Sequence, residues 1–334
     1  MRIGTNPLKE AKQKISTPSA ITVGVLNYIP AQSGYFREQL DSLALCLVSL
    51  RAHADQPFDL LVVDNGSCAE ARSYLLEEWQ AGRIDTLILN EANLGKMNAQ
   101  MQILRAAPGD FVFYSDGDIY YRPGWMQAHL DVLNAFPEAG LVGGVPLHNL
   151  VDYHTAGTQA WVGDHHSEIV LEQGDLIPEE WTREFFHSIG TEYRAGDWNQ
   201  KQDWRITRNG VTAYVGASHM QFLTSRRVIE RIPNRRFEFA LEPEEDAHFD
   251  RSVAEAGFLR LSVSRPTVYH IGNSISEDWL KQEYQRLVQA SPAAPQSAAP
   301  RRRHWFWGRS KVRRILLRIY EWAFDLHYRN SAPP

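Results

Sequence analysis

The chain has 334 residues, of which 43% are hydrophobic and 22% charged, and its formal net charge at pH 7 is −5. These values are ordinary for a soluble globular protein, and the length allows a full core in one large domain or two. No uninterrupted apolar run approaches the ~20 residues of a membrane-spanning helix. No apolar segment follows a basic start, so we expect no signal peptide.

Charge is distributed unevenly along the chain. Residues 1–300 carry 26 Lys and Arg against 38 Asp and Glu, a net charge of −12, whereas residues 301–334 carry 9 against 2, a net charge of +7. The acidic body argues against nucleic-acid binding, and the basic tail predicts an anionic partner for that segment alone. Cys46 and Cys68 have no metal-binding spacing. We therefore expect free thiols, a reducing compartment and a cytoplasmic protein.

After a lead-in at residues 1–20, predicted strands alternate with predicted helices. Uncharged, β-branched or aromatic runs predict four strands, at residues 21–26, 60–63, 86–89 and 111–115. Helical spacing of apolar residues predicts helices between them, from about 36 to 53, ending near 80, and beginning near Lys96. Such alternation is typical of a parallel sheet that helices cover on both faces.

Each of these four strands ends at a polar residue, in chain order Asn27, Asp64, Asn90 and Asp116. Because right-handed crossovers bring the ends of parallel strands to one edge of a sheet, we expect these residues along a single rim, where ligands bind in open α/β sheets. The fourth strand runs into Asp116-Gly117-Asp118. Two carboxylates there suit Mg²⁺ or Mn²⁺, which in turn would hold a diphosphate. A solvated acidic turn is the alternative for this segment.

Three short motifs occur in an order that resembles a known family. They are VVDNGS at residues 62–67, NLGK at 93–96 and YSDGD at 114–118. Together they resemble the nucleotide-sugar glycosyltransferases of family 2, over about residues 20–145 and again from near residue 211. The resemblance implies an α/β fold of GT-A type. Such a fold has a nucleotide-binding, mostly parallel sheet with helices on both faces, and here we expect an acceptor-side insertion and a C-terminal helical tail.

The resemblance also implies roles for the residues along the rim. The expected donor-binding residues are Asn27, Asp64, Asn65, Lys96 and Asp116, and the expected metal ligands are Asp116 and Asp118. Two of these residues have a simpler alternative. Asp64 could stabilise its own Asn-Gly turn, and Lys96 could be a solvated helix residue.

Residues 147–210 fit the family least, and no helix or strand pattern persists there. The segment is rich in Trp, His and acidic residues. It is either an insertion that faces the acceptor, since aromatic rings stack on sugar faces and loops carry specificity, or a long loop with aromatic packing beneath it. A second metal site at His165 and His166 is disfavoured, because adjacent side chains on a strand point apart.

The sheet is expected to resume at residues 211–223 and to include a strand at 259–263. Between them, acids after Pro243 predict a helix N-terminus. In the family this location carries the catalytic base, so the resemblance favours Asp246, with Glu245 as the alternative. His248 replaces a further acid of the family pattern. The resemblance makes His270 a third metal ligand, and a core or capping histidine is the alternative.

The C-terminal segment is expected to differ from the body. Residues 291–300 are a low-complexity linker, and residues 301–334 form a basic amphipathic helix. Basic residues beside a Trp-Phe-Trp cluster suit an anionic membrane surface, so residues 301–328 are expected to make a peripheral membrane contact. Docking of this helix on its own body or on another subunit, as in a homo-oligomer, is the competing interpretation.

These expectations divide the body into a nucleotide-sugar-binding half, 21–145, and an acceptor-binding and catalytic half, 146–290. The predicted function is metal-dependent transfer of a sugar from a nucleoside diphosphate donor to a glycan or lipid hydroxyl. The resemblance implies inversion at the anomeric carbon, and retention is the alternative, because GT-A folds support both outcomes. UDP is the favoured nucleotide, with GDP or dTDP as alternatives. A sugar nucleotidyltransferase would need a glycine-rich basic loop after the first strand, where this chain has Asn27-Tyr28-Ile29-Pro30. A non-catalytic glycan- or nucleotide-binding protein is the remaining alternative.

Overall fold

The computed structural model describes residues 16–194, 202–238 and 248–290. The chain divides into two compact units, Met1–Ser291 and Pro292–Pro334, and every described residue belongs to the first. The predicted catalytic pair, Glu245 and Asp246, lies outside the described residues. The same is true of the predicted linker and the basic C-terminal helix.

The described residues form twelve strands and nine α-helices. The strands are β1 (Ile21–Asn27), β2 (Asp59–Asp64), β3 (Thr86–Leu89), β4 (Phe111–Asp116), β5 (Ile119–Tyr121), β6 (Ala139–Gly143), β7 (Val170–Gly174), β8 (Asp203–Arg208), β9 (Val211–Val215), β10 (Gln221–Ser225), β11 (Leu259–Val263) and β12 (Val268–His270). The helices are α1 (Gln39–Ala52), α2 (Ala69–Gln80), α3 (Lys96–Ala106), α4 (Trp125–Ala135), α5 (Ala156–Asp164), α6 (Glu179–Ser188), α7 (Arg226–Ile229), α8 (His248–Glu255) and α9 (Asp278–Ala290). None of these helices combines the length and the apolar character needed to cross a bilayer.

Ten of the described strands form one sheet, in the order β3-β2-β1-β4-β10-β6-β11-β9-β8-β7. The first four pair in parallel, as the alternation of strands and helices predicts. Beyond them β10 is antiparallel to both of its neighbours, β6 and β11 are parallel, and β9, β8 and β7 follow as antiparallel strands. The predicted α/β class is confirmed, with the parallel pairing concentrated in the N-terminal half.

Helices cover both faces of the sheet. On one face α1, α2 and α4 pack on apolar side chains such as Val23 and Val25. On the other face α3, α7 and α8 pack on side chains that include Leu61 and Val63. Buried apolar residues on both faces explain why these strands read as continuous hydrophobic runs rather than alternating ones.

The register of the parallel strands confirms the predicted rim. Asn27 pairs with Asp64, and Leu26 pairs with Asp116 on the other side of β1. The backbone N–H of Asn90, just after β3, donates to the carbonyl of Asp64 at 2.9 Å. The polar ends of β1, β2, β3 and β4 therefore lie at one edge of the sheet.

A separate two-stranded sheet places His270 near this edge. β12 is antiparallel to β5 and pairs His270 with Ile119, the residue after Asp118. This small sheet packs against α1 and α9 through a cluster of buried apolar side chains: Leu45, Tyr120, Ile271, Leu280 and Leu287. The chain thus returns to the acidic end of β4 about 150 residues later in sequence.

Residues 147–210 are more regular than the sequence predicts. They contain α5, β7, α6 and β8, so regular elements form in a segment where no sequence pattern persists for long. β7 is the edge strand of the large sheet, and four of its five residues are exposed. An edge strand with both faces in solvent has no hydrophobic alternation, which explains why the sequence pattern misses it.

Candidate functional site

A cleft of about 430 Å³ opens at the rim of the sheet. Of the predicted site residues it is lined by Asn27, Asn65, Lys96, Asp116 and Asp118. Its other lining residues are Leu26, Tyr28, Ile29, Tyr35, Gln39, Asn93, Gly95 and Gly117. Backbone, amide, carboxylate and ammonium groups thus surround a space with room for a small polar ligand.

Asp116 is held from two directions. Lys96, the first residue of α3, donates from its Nζ to Asp116 Oδ2 at 2.9 Å. The hydroxyl of Tyr114 donates to Oδ1 at 2.6 Å. Tyr114 and Asp116 lie two residues apart on β4, so their side chains share one face of the strand. The Asp116 carboxylate therefore has a fixed orientation at the cleft, and a lysine stands directly beside it.

Asp118 is paired with His270, with 3.4 Å between Asp118 Oδ2 and His270 Nε2. The other carboxylate oxygen, Oδ1, is buried and has no hydrogen-bond partner. Burial raises the pKa of Asp118, the nearby His270 lowers it, and the negative charge of Asp116 raises it further. A buried carboxylate oxygen without a partner is costly, and a bound cation is one way to satisfy it.

These residues fit a divalent metal ion. Asp118 offers an unpartnered oxygen and His270 an imidazole nitrogen, a mixed ligand set that suits Mn²⁺. Asp116 does not share one compact group with them. Among the described residues, the only three potential ligands whose atoms all lie within 4.8 Å of one another are His148, Asp175 and Asp203. Asp118 and His270 could therefore hold a metal ion together, and Asp116 is bonded to Lys96. Metal binding by Asp116, Asp118 and His270 stays a prediction.

The group of His148, Asp175 and Asp203 has a structural explanation. Asp203 Oδ1 lies 3.0 Å from His148 Nδ1, and Oδ2 accepts the backbone N–H groups of Leu176 and Ile177, each at 2.9 Å. Both oxygens of the buried Asp203 are thus satisfied within the protein. The disfavoured pair, His165 and His166, is part of no such group among the described residues.

Asp64 is fully buried and is not among the residues that line the cleft. Its Oδ1 accepts from Asn27 Nδ2 at 3.0 Å, and its Oδ2 accepts from the backbone N–H of Ser67 at 3.1 Å and from Arg72 Nε at 3.2 Å. These bonds hold the turn after β2, which is the structural alternative that the sequence left open. A contact between Asp64 and a nucleoside stays a prediction.

Asn65 connects this turn to the loop before α3. Its Oδ1 accepts the N–H of Leu94 at 3.0 Å, and its Nδ2 donates to Asn93 Oδ1 at 2.9 Å and to the Gly95 carbonyl at 3.2 Å. The neighbouring Gly66 has φ +88°, and an added Cβ would lie 2.6 Å from the backbone carbon of Ala92. Close packing of these two loops fixes the position from which Lys96 starts its helix.

The three sequence motifs do not indicate several residues of the site. Tyr35 and Gln39 line the cleft, but they lie outside the motifs, in and just after the segment between β1 and α1. Ser188, whose Oγ lies 2.9 Å from His270 Nδ1, comes from the insertion. Tyr114 was within reach of sequence reasoning, because its spacing of two residues from Asp116 places it on the same side of a strand.

Comparison with known proteins finds a family profile that matches part of the chain. Residues 35–191 match the sequence profile of glycosyl transferase family 2, which confirms the resemblance drawn from the three motifs. The match includes Lys96, Asp116 and Asp118, and it ends before His270. No curated protein matches the sequence of this chain.

Two solved structures resemble the fold loosely. TarS of S. aureus (residues 1–349) is 13% identical with a TM-score of 0.40, and the match covers 75% of this chain and 60% of that one. The mannosyltransferase PcManGT from Pyrobaculum calidifontis, in complex with GDP-Man and Mn²⁺, is 18% identical with a TM-score of 0.41, and the match covers 75% of this chain and 57% of that one. The chain thus spans less than two thirds of either structure, and the likeness is too loose to assign residue roles.

Proposed function

Starting from the match to glycosyl transferase family 2, we propose that this chain is a metal-dependent glycosyltransferase. It moves a sugar from a nucleoside diphosphate donor to a hydroxyl acceptor with inversion at the anomeric carbon. The observation that carries the proposal is the pairing of Asp118 with His270 beside a cleft of about 430 Å³. The unpartnered, buried Oδ1 of Asp118 gives that cleft a place for a cation.

Several residues at the rim have a part in binding the donor. Asp118 and His270 would hold Mn²⁺ or Mg²⁺, and the ion would neutralise charge on the departing diphosphate. Lys96, fixed by its 2.9 Å bond to Asp116, offers a positive charge to the same phosphates. Asn27 and Asn65 line the cleft at the ends of β1 and β2, which is the position proposed for the nucleoside, and Asp64 is a further proposed contact on the sequence resemblance.

The reaction is a direct displacement. The bond between the anomeric carbon and the diphosphate oxygen breaks, and its electron pair leaves on the nucleoside diphosphate. The acceptor oxygen bonds to the anomeric carbon from the opposite face, and its proton passes to a carboxylate. Asp246 is the proposed base, with Glu245 as the alternative on the sequence resemblance alone.

The donor nucleotide and the acceptor class are proposed on the family resemblance. UDP is the favoured nucleotide, with GDP and dTDP as alternatives, and the acceptor is a glycan or lipid hydroxyl. A peripheral contact of residues 301–328 with the cytoplasmic membrane face would bring a lipid acceptor within reach. Docking of that segment on its own body or on another subunit, as in a homo-oligomer, is the competing interpretation.

Thermal shift and turnover together test the proposal. We expect one of UDP, GDP or dTDP to raise the melting temperature in the presence of Mn²⁺, and its sugar conjugates to be turned over only with the metal. Nucleotide binding without turnover on a panel of glycan and lipid acceptors would favour a non-catalytic binding protein. Release of pyrophosphate from a nucleoside triphosphate and a sugar 1-phosphate would favour a nucleotidyltransferase.

A further inference from the structure

Ser188, the last residue of α6, lies against the Nδ1 nitrogen of His270. Its Oγ is 2.9 Å from His270 Nδ1, on the opposite side of the ring from Asp118. We infer that Ser188 is a positioning residue: it holds His270 in the tautomer with a proton on Nδ1 and so presents an unprotonated Nε2 towards the metal. The inference rests on the proposed function for its metal, and Ser188 lies in the insertion, outside the family motifs.

The tautomer follows from the hydrogen bonds of the serine hydroxyl. Ser188 Oγ also lies 2.6 Å from the backbone carbonyl of Phe185, and a carbonyl oxygen can only accept. The single hydroxyl proton is therefore directed to Phe185, and Oγ is left as an acceptor for a second bond. The group that faces it, His270 Nδ1, must then be the donor. In a neutral imidazole with a proton on Nδ1, the Nε2 atom carries a lone pair.

Packing fixes Ser188 and His270 relative to each other. The Phe185 ring stands edge-on to the His270 ring, with 5.9 Å between centroids. Gly272 has φ +75°, and a Cβ added there would lie 2.6 Å from the backbone oxygen of Ser188. The end of α6 therefore contacts both the side chain of His270 and the backbone two residues beyond it, which leaves the hydroxyl little freedom to move away.

The consequence concerns Asp118. His270 Nε2 lies 3.4 Å from Asp118 Oδ2. A proton on Nε2 would point at this carboxylate and occupy the position that a metal ion needs. With the proton held on Nδ1 by Ser188, both Nε2 and the carboxylate act as electron-pair donors towards one site. Metal-bound histidines commonly donate the N–H of their second ring nitrogen to a hydrogen-bond acceptor. Loss of that acceptor lowers metal affinity about 10- to 100-fold.

A purely structural role for Ser188 predicts something different. Its bond to Phe185 is a local contact within the last turn of α6, and removal of that contact would lower stability without changing the state of the His270 ring. The experiment therefore measures which nitrogen of the His270 ring carries the proton. Ser188→Ala removes the hydroxyl, Ser188→Thr keeps it, and His187→Ala changes the preceding, exposed residue as a matched control.

The first measurement is ¹⁵N NMR of the full chain with labelled histidine, without metal, at a pH where the His270 ring is neutral. The His270 signals are assigned by their loss in His270→Gln. We expect a protonated Nδ1 in the wild type, Ser188→Thr and His187→Ala, and a shift of the proton towards Nε2 in Ser188→Ala. A wild-type ring protonated on Nε2, or a Ser188→Ala ring identical to the wild type, would overturn the inference.

The second measurement is Mn²⁺ affinity of the same variants, followed by electron paramagnetic resonance of free Mn²⁺. We expect binding about 10-fold weaker in Ser188→Ala and near wild-type values in the other two variants. Equal Mn²⁺ affinity in Ser188→Ala and the wild type overturns the positioning role and leaves the proposed function intact. Absence of Mn²⁺ binding in the wild type contradicts the proposed metal, while the NMR result still decides what Ser188 does to the ring.

Discussion

His270 Nε2 lies 3.4 Å from Asp118 Oδ2, although 151 positions separate the two residues in the chain. The antiparallel pairing of β12 with β5 makes this contact, because it aligns His270 with Ile119. The backbone N–H of Ile271 also donates to the Asp118 carbonyl at 2.7 Å. Main-chain bonds, rather than a side-chain attraction alone, therefore bring the imidazole to the carboxylate.

Asp118→Asn is expected to abolish Mn²⁺ binding without lowering the free energy of unfolding. Because burial raises the pKa of Asp118, the charged form is disfavoured in the folded protein relative to the unfolded chain, and at pH 7 the charge lowers the free energy of unfolding. A neutral side chain of the same shape should therefore keep or increase stability in metal-free buffer and abolish Mn²⁺ binding. Urea unfolding in EDTA and Mn²⁺ titration measure the two effects.

Asp116→Asn is the matched control for that variant. It removes the carboxylate that accepts from both Lys96 and Tyr114, so its free energy of unfolding should fall. If Asp118→Asn destabilises the protein as much as Asp116→Asn does, then Asp118 is a structural carboxylate and its role at a cation site is wrong.

Lys96→Met is expected to weaken binding of the nucleoside diphosphate about 10-fold. A hydrogen bond to a charged group contributes about 1.5–3 kcal/mol, and the substitution removes the ammonium while keeping a side chain of similar length. Isothermal titration with UDP and Mn²⁺ measures the effect. Lys281→Met removes an exposed lysine on α9 and should bind UDP as the wild type does. Equal affinities in the two variants would place Lys96 outside the donor site.

Gly66→Ala is expected to lower the free energy of unfolding by about 2 kcal/mol or more. Gly66 has φ +88°, and a Cβ there would lie 2.6 Å from the backbone of Ala92, so backbone strain and a steric clash add together. Gly82→Ala is the control, since Gly82 has φ +75° but nothing within 4 Å of an added Cβ. It should cost only about 1 kcal/mol. Urea denaturation of both variants tests whether the close approach of the two loops is real.

The bond between His148 and Asp203 predicts a pH dependence of stability. Asp203 raises the pKa of His148 through their hydrogen bond. The contribution to stability is therefore fully present below the unfolded-state pKa near 6.5 and is lost as pH rises through the higher pKa of the folded state. The difference in unfolding free energy between the wild type and His148→Gln should shrink from pH 6 to pH 9. A difference that stays constant or grows over that range contradicts the prediction.

The N-terminal half of the fold was predictable from sequence because its signals are local. Strands β1, β2 and β4 are largely buried and read as apolar runs, and the short edge strand β3 is an apolar run although it is only partly buried. The right-handed crossover rule then puts Asn27, Asp64 and Asp116 at one edge. The approximate positions of α1, α2 and α3 follow from the same reasoning. The strand at β11 was also found, since Leu259–Val263 is buried throughout.

Contacts between distant segments could not be predicted from the sequence. The hydroxyl of Ser188 belongs to a helix in the insertion, and nothing in its neighbourhood marks it as a partner of His270. For Asp64 the sequence predicted the position, at a strand end, but not the contacts. The structure shows that its carboxylate oxygens already accept hydrogen bonds from Asn27, Ser67 and Arg72. The antiparallel strand β7 was missed because an exposed edge has no period-two pattern. Its neighbour β8 was missed because its two buried residues, Asp203 and Ile206, lie three positions apart and so do not alternate.

The location of bound Mn²⁺ decides whether Asp118 and His270 form a metal site. Crystals grown or soaked with Mn²⁺ and UDP, and measured at a wavelength where manganese scatters anomalously, would show where the ion sits. We expect an anomalous peak in contact with the Asp118 carboxylate and His270 Nε2, at the cleft that Lys96 lines. A peak at His148, Asp175 and Asp203, or bound UDP with no manganese at Asp118, would contradict it.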